Sequence, residues 1–245
     1  MKYLLFLFFT FFLVTSGAAQ ESWTVVSSDK LVGEIEVLVY DSRPTTKDKP
    51  IIYFTDGAKM VDNGTLLEIK RLTEDSKIKP AYYVFVSSRD PMTGKDHRNT
   101  YFFSNPDYLS FFEEELIPKV EKKIGACFKT QDRALAGISF GGLNGAYFSA
   151  KSTKFGAYGL LSPVTYPRTS VIQDISFSKN KDLRIFLSTG TNDAENYLPT
   201  LENSYKSKGY KVEVLKTDGG HDFKNWNGQL EIMLSFLWGK VGRIE

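Results

Sequence analysis

The stretch Ala134-Leu135-Ala136-Gly137-Ile138-Ser139-Phe140-Gly141-Gly142 constrains this chain more than any other. A small apolar run reads as a buried strand and stops at Gly137. A serine follows between glycines, and Leu143 to Ala150 then reads as a helix. The pattern G-x-S-x-G, set between strand and helix, puts the serine on a sharp, strained turn with its hydroxyl lifted above a sheet. A side chain two residues to either side would strike neighbouring backbone, which accounts for Gly137 and Gly141. Gly142, Gly145, Ala146, Ser149 and Ala150 let the following helix lie close against the sheet.

The rest of the chain supplies a matching frame. Trp23–Val26 and Leu31–Tyr40 alternate apolar and polar residues and predict an antiparallel N-terminal hairpin at a sheet edge. Ile51–Phe54 is a short apolar strand ending at Thr55-Asp56-Gly57, and Asn63–Glu74 reads as a helix with Leu66, Leu67, Ile69 and Leu72 as its buried face. Ala81–Val86 is fully apolar, as the centre of a parallel sheet requires. Ser87–Ser104 is a long polar segment holding Arg89, Asp90, His97 and Arg98, a length that usually means function or disorder. Asn105–Ile124 reads as a helix in which Pro118 predicts a kink or break. Beyond the serine, strands are expected at Tyr158–Ser162, Leu183–Thr189 and Tyr210–Lys216, and helices at Ala194–Lys208 and Asn225–Leu237. The segment from Pro163 to about Asp182 reads as a loop. Strands alternating with helices predict an α/β fold, a mostly parallel twisted sheet with helices on both faces.

Met1-Lys2-Tyr3, the apolar run Leu4–Val14 and the small residues up to Ala19 describe a secretory signal peptide over residues 1–19. The run is short of the ~18–20 residues that span a bilayer, so no membrane span is expected in the mature chain. Removal of the leader leaves about 225 residues, enough for a single domain over 20–245. That places the protein in a secreted or periplasmic compartment. Net charge is near zero without Lys2, and no basic stripe suggests a nucleic-acid partner. Cys127 is the sole cysteine and, in apolar company, reads as a small buried side chain. With two histidines, no CxxC and no HExxH, no metal site is expected. Nothing in the sequence speaks to oligomeric state.

A serine on such a turn needs a base, and the candidates are His97 and His221. His221 follows the last predicted strand in Asp218-Gly219-Gly220-His221-Asp222-Phe223, and loops at the carboxyl ends of strands build the site in doubly wound sheets. His221 is therefore the favoured base, and His97 an exposed loop residue or a substrate contact. Asp193 ends Gly190-Thr191-Asn192-Asp193 on the same rim. It either orients the imidazole or caps the helix expected from Ala194, with Glu195, Asp218 and Asp222 as fallback acids. A tetrahedral oxyanion needs two backbone donors, here the amides of Phe140 and Ala58, each worth about 2.7–4 kcal/mol of barrier in a protease precedent. No cofactor is implied.

With these residues in place, the chain resembles the family of α/β-hydrolases described as Putative esterase. That family includes siderophore (enterobactin-type) esterases, feruloyl and acetyl-xylan esterases, S-formylglutathione hydrolase and the mycolyltransferases. The resemblance rests on Ile52–Gly57, Phe112-Glu113-Glu114-Glu115-Leu116-Ile117-Pro118, Asp132–Gly142, Leu161-Ser162-Pro163 and Gly220-His221-Asp222-Phe223, in order across nearly the whole mature chain. It implies the α/β-hydrolase fold, with Ser139 as nucleophile, His221 as base and Asp193 as acid, in the chain order of that fold. It also accounts for Pro118. Arg98 resembles the arginine of a family loop that lines the substrate cleft, the other reading being a solvated surface residue. Trp226, five residues after His221, either walls that cleft or anchors the last helix.

The expectation is a secreted serine esterase acting on a small-molecule or polysaccharide-linked ester, such as a siderophore ester or a feruloyl or acetyl ester. The rivals are an acyltransferase of the same fold, a peptidase, and a binding protein that kept the fold without the chemistry.

Overall fold

Eight strands form one sheet in the order β1-β2-β4-β3-β5-β6-β7-β8. In this computed structural model the described residues are 22–193 and 197–239. The leader expected over 1–19 and the fallback acid Glu195 lie outside the described residues. In chain order the elements are β1 (Trp23–Val26), β2 (Ile35–Asp41), β3 (Ile51–Phe54), α1 (Gly57–Asp62), α2 (Thr65–Glu74), β4 (Tyr82–Val86), α3 (Arg98–Phe102) and α4 (Pro106–Ser110). A π-helical segment (Phe111–Leu116) leads to α5 (Ile117–Ile124), β5 (Arg133–Ile138), α6 (Phe140–Lys151), β6 (Ala157–Leu161) and α7 (Val171–Phe177). The chain continues with β7 (Arg184–Gly190), α8 (Leu198–Ser207), β8 (Lys211–Thr217), α9 (Phe223–Gly228) and α10 (Leu230–Trp238).

The pairs β1/β2 and β2/β4 are antiparallel and every later pair is parallel, so the N-terminal hairpin sits at one edge as its alternating sequence requires. The register aligns the carboxyl ends. Phe54 lies opposite Phe85 and Ala136, Ile138 opposite Leu161, and Leu161 opposite Ser188. From β3 the chain moves first to β4 on one side and later to β5 on the other. The crevice at such a reversal is where open α/β sheets build their sites.

Side chains on successive strand residues point to opposite faces, and here both faces are covered. Tyr53, Val84, Leu135, Tyr158, Ile185 and Leu187 pack with Phe111, Phe112, Leu143 and Phe148 on one side. Ile52, Phe54, Tyr83, Phe85, Ala136 and Phe186 pack with Met60, Leu66, Ile69, Trp226 and Met233 on the other. This explains the near-continuous apolar runs of the central strands, whose residues are buried whichever face they point to.

The sequence expectations need correction at several places. The helix expected from Asn63 is preceded by a separate α1, so Ala58 lies in a first helical turn and not in a loop. Leu67, expected on the buried face of the helix that follows, is exposed, while Leu66, Ile69 and Leu72 are buried. The single helix expected over 105–124 is α4, the π-helical segment and α5. Pro118 stands in the first turn of α5, where its missing N–H interrupts no hydrogen bond of that helix. The polar segment after β4 contains α3, and the Ser/Thr-rich loop after β6 contains α7; both helices are too short for helical periodicity to stand out. The last helix is broken at Gln229 into α9 and α10. Cys127 is exposed, because the turn after α5 carries it out to the surface. No described helix is long and apolar enough to cross a membrane.

Candidate active site

Ser139 follows β5 directly and precedes the first residue of α6. Its φ of 54° and ψ of −116° are a conformation that non-glycine residues rarely adopt and that costs about 1–3 kcal/mol unless the surroundings hold it. The surroundings do so through the backbone. The Ser139 amide donates to the Leu161 carbonyl at 2.9 Å, and its carbonyl accepts from Leu143 at 3.1 Å and Val164 at 3.4 Å. A Cβ on Gly137 would strike the Gly141 backbone, and one on Gly141 would come 2.7 Å from Thr55 Oγ1. The glycines therefore play the part the sequence predicts, and the turn is wedged against the end of β3.

Two more non-glycine residues with positive φ stand on this rim: Asp56 after β3 (58°) and Ser162 after β6 (44°). Each of the three stands within two residues of the carboxyl end of a strand. The amides opening α1 and α6, Ala58 and Phe140 among them, have no partner within their own helices, as first-turn amides never do. Both helices point these N–H groups and their positive dipole ends toward the strand termini.

His221 and Asp193 are brought together. His221 Nδ1 lies 3.1 Å and 3.0 Å from the two carboxylate oxygens of Asp193. The Asp193 side chain is fully buried while that of His221 is 35% exposed, so the carboxylate is desolvated and the ring reaches solvent. A proton on Nδ1 donated to Asp193 leaves Nε2 as the free basic nitrogen. The N-cap of α8 is Tyr197, so Asp193 is not the cap of that helix. Asp222 is a cap instead, its carboxylate accepting from the Asn225 amide at 2.9 Å. Asp218 accepts from the Thr191 hydroxyl at 3.2 Å.

The His221 loop rests on a polar network that sequence reasoning missed. Asn225 Nδ2 donates to the Gly220 carbonyl, and Asn225 Oδ1 accepts from Thr217 Oγ1. Gln229 donates to Thr217 Oγ1 and accepts from Ser188 Oγ, both at 2.6 Å. Asn225 and Gln229 lie four residues apart on an otherwise apolar face, and that spacing was the available signal. Trp226 is buried, with its indole N–H donating to Ser162 Oγ at 2.9 Å and its ring edge-on to His221 at 5.0 Å. It touches both the imidazole and the turn after β6.

Arg98 is not a solvated surface residue. Its Nε donates to both oxygens of Asp56, at 2.7 and 2.9 Å, and its Nη2 donates to the Ile138 carbonyl at 3.2 Å. Asp56 is buried; burial pushes its carboxyl up, and the Arg98 guanidinium offsets only part of that rise. This pair was not foreseen. His97, expected at the surface or against substrate, is 5% exposed and stacks on Tyr101 at 5.3 Å. Asp90 is buried beside it, its carboxyl held low chiefly by the hydrogen bond from the Met92 amide. Its place is inside the loop after β4. Among the described residues no cluster of three or more His, Cys, Asp or Glu could hold a metal ion.

Comparison with known proteins places this chain in a family. The family model described as Putative esterase matches residues 28–237. The endo-1,4-beta-xylanase/feruloyl esterase of Xylanibacter ruminicola is 28% identical over 179 residues, covering 70% of this chain and 23% of its own length. The iron(III) enterobactin esterase of Escherichia coli is 24% identical over 231 residues, covering 86% of this chain and 55% of its own. The chain therefore spans less than two thirds of the length of these curated relatives. Among solved structures, the enterochelin esterase of Shigella flexneri gives a TM-score of 0.76 at 22% identity, over 89% of this chain and 58% of that one. A ferulic acid esterase from Anaeromyces mucronatus gives 0.71 at 15% identity, over 91% and 93% of the two chains. At these identities the structures establish the fold, which is the α/β-hydrolase fold expected from the sequence.

Proposed function

We propose a serine carboxylic-ester hydrolase acting through an acyl-enzyme, because this chain belongs to the Putative esterase family and pairs His221 with a buried Asp193 on the rim that bears Ser139. That pairing carries the reading. A carboxylate held on Nδ1 fixes the tautomer in which Nε2 can accept a proton, and it stabilises the imidazolium that forms.

In this mechanism Ser139 Oγ attacks the ester carbonyl carbon as its proton passes to His221 Nε2. The carbonyl π-bond breaks and leaves an oxyanion, held by the amides of Ala58 and Phe140. Collapse re-forms the carbonyl and breaks the bond to the alcohol oxygen, which takes the proton from Nε2. Water then repeats the sequence against the acyl-enzyme, with His221 as base, and releases the acid. The chemistry needs no cofactor or metal. Substrates are small or medium esters, a siderophore ester or a feruloyl or acetyl ester on polysaccharide, as the named substrates of the relatives suggest. Residues 1–19 act as a secretory leader in this reading, and 20–245 form one hydrolase domain in a secreted or periplasmic protein. The test is hydrolysis of enterobactin-type, feruloyl and acetyl esters by wild type and Ser139→Ala. Loss of turnover with the fold retained is expected, and equal turnover by the mutant overturns the mechanism.

A further inference from the structure

The loop between β4 and α3 holds α1 at two residues that flank Ala58. Asp56 receives the Arg98 guanidinium, and the Lys59 ammonium pairs with Asp96 at 2.8 Å. Asp96 and Arg98, the first residue of α3, are themselves joined, since Asp96 Oδ1 accepts the Arg98 amide at 3.0 Å, and it also accepts the Ser88 hydroxyl at 2.9 Å. The same guanidinium reaches the other side of the crevice. It donates to the carbonyl of Ile138, the residue before Ser139, and lies 5.1 Å from the ring of Phe140, the residue after it.

We propose that Arg98 is a positioning residue, a clamp that fixes the spacing between the α1 amide at Ala58 and the elbow amide at Phe140. The inference rests on the esterase reading above and deepens it. Two amides on separate helices stabilise an oxyanion only at one separation, and donors must sit about 2.7–3.1 Å from the developing charge. β3 and β5 are paired as far as the Thr55 amide, which donates to the Ala136 carbonyl at 3.0 Å, but Ala58 and Phe140 lie beyond that pairing, in α1 and α6. A planar guanidinium can hold that separation, since it donates in two directions at a fixed angle. Here one direction is taken by Asp56, whose side chain is fully buried, and the other by the Ile138 carbonyl. A lysine could satisfy one of these but not span both. Nε and Nη2 of Arg98 are thus engaged by the protein's own carboxylate and backbone, and through them its effect on an ester is exerted at the oxyanion amides.

The test uses the mature protein and p-nitrophenyl acetate, a small neutral ester that offers an arginine no charge to bind. Wild type, Ser139→Ala, Arg98→Lys and the neutral pair Asp56→Asn/Arg98→Gln are compared, each below its own melting temperature. The double variant avoids stranding a buried carboxylate. The clamp predicts that kcat falls about 100-fold or more in both Arg98 variants, the size expected for a lost oxyanion donor, while KM stays within about threefold. A kcat within about threefold of wild type, or a loss confined to KM, overturns the clamp and leaves the esterase reading standing. Wild type no faster than Ser139→Ala overturns the esterase reading, and the clamp with it.

Discussion

The indole nitrogen of Trp226 donates to Ser162 Oγ at 2.9 Å, and the same ring stands edge-on to His221 at 5.0 Å. One side chain thus ties the turn after β6, whose Val164 amide reaches the Ser139 carbonyl, to the imidazole. Trp226→Phe keeps most of the ring contact and removes the donor, leaving a buried hydroxyl without it. The expected result is a stability loss of about 1–3 kcal/mol and a fall in kcat larger than the change in KM. Chemical denaturation and steady-state kinetics on one ester measure both.

Asp193→Asn tests the role of the buried carboxylate. An amide of the same shape can present a donor to Nδ1, which favours the tautomer with its proton on Nε2, unable to accept from Ser139. In a protease precedent the equivalent change costs about 10⁴ in kcat with geometry intact, and a loss of that order is expected here. A loss below tenfold would mean that another acid serves His221.

The loop after β4 is predicted to loosen in acid. Hydrogen bonds from the Met92 and Thr93 amides hold the Asp90 carboxyl below the usual range. Burial raises Asp96, but the Lys59 ammonium, the Arg98 amide and the Ser88 hydroxyl outweigh it, and its carboxyl is also lowered. Carboxyls lowered in the native state add stability that is full above the unfolded value of about 3.9 and is lost as pH falls below it. With the intrinsic slowing of exchange in acid divided out, amide protection over residues 87–104 is expected to fall as pH drops below about 4, with a weaker pH dependence in Asp96→Asn.

Stability and chemistry are separable at the far end of β5. Arg133 donates to Glu121 Oε1 at 2.8 and 2.6 Å, and both side chains are nearly buried. Glu121→Ala takes the paired carboxylate from a buried guanidinium that keeps the Lys154 and Phe128 carbonyls, and should cost about 3 kcal/mol, read from the urea midpoint. Turnover below the transition should be unchanged, because Arg133 opens the strand that Ile138 closes.

The residues of the proposed reaction were legible because strand ends were legible. The apolar run expected as a strand from Ala134 lies within β5, and once the apolar runs were placed, Ser139, Asp193 and His221 fell on their carboxyl ends. What escaped was the set of contacts between segments far apart in the chain. Nothing local to Asp56 announces Arg98, forty-two residues later, and nothing local to His97 shows that Tyr101 and Asp90 enclose it. The short helices α3 and α7 lack the length for a 3.6-residue period to emerge. Cys127 was misplaced because apolar neighbours in sequence are not neighbours in space once a helix ends. Trp226 was legible as a residue near His221, but its bond to Ser162 was not.

The most direct measurement is intact mass after incubation of the folded protein with a fluorophosphonate, followed by peptide mapping. An activated serine attacks phosphorus, displaces fluoride and retains the phosphonyl group. The account predicts one adduct per chain, on Ser139, absent from Ser139→Ala and slowed in Asp193→Asn. No adduct on folded protein, or an adduct on another residue, would contradict it.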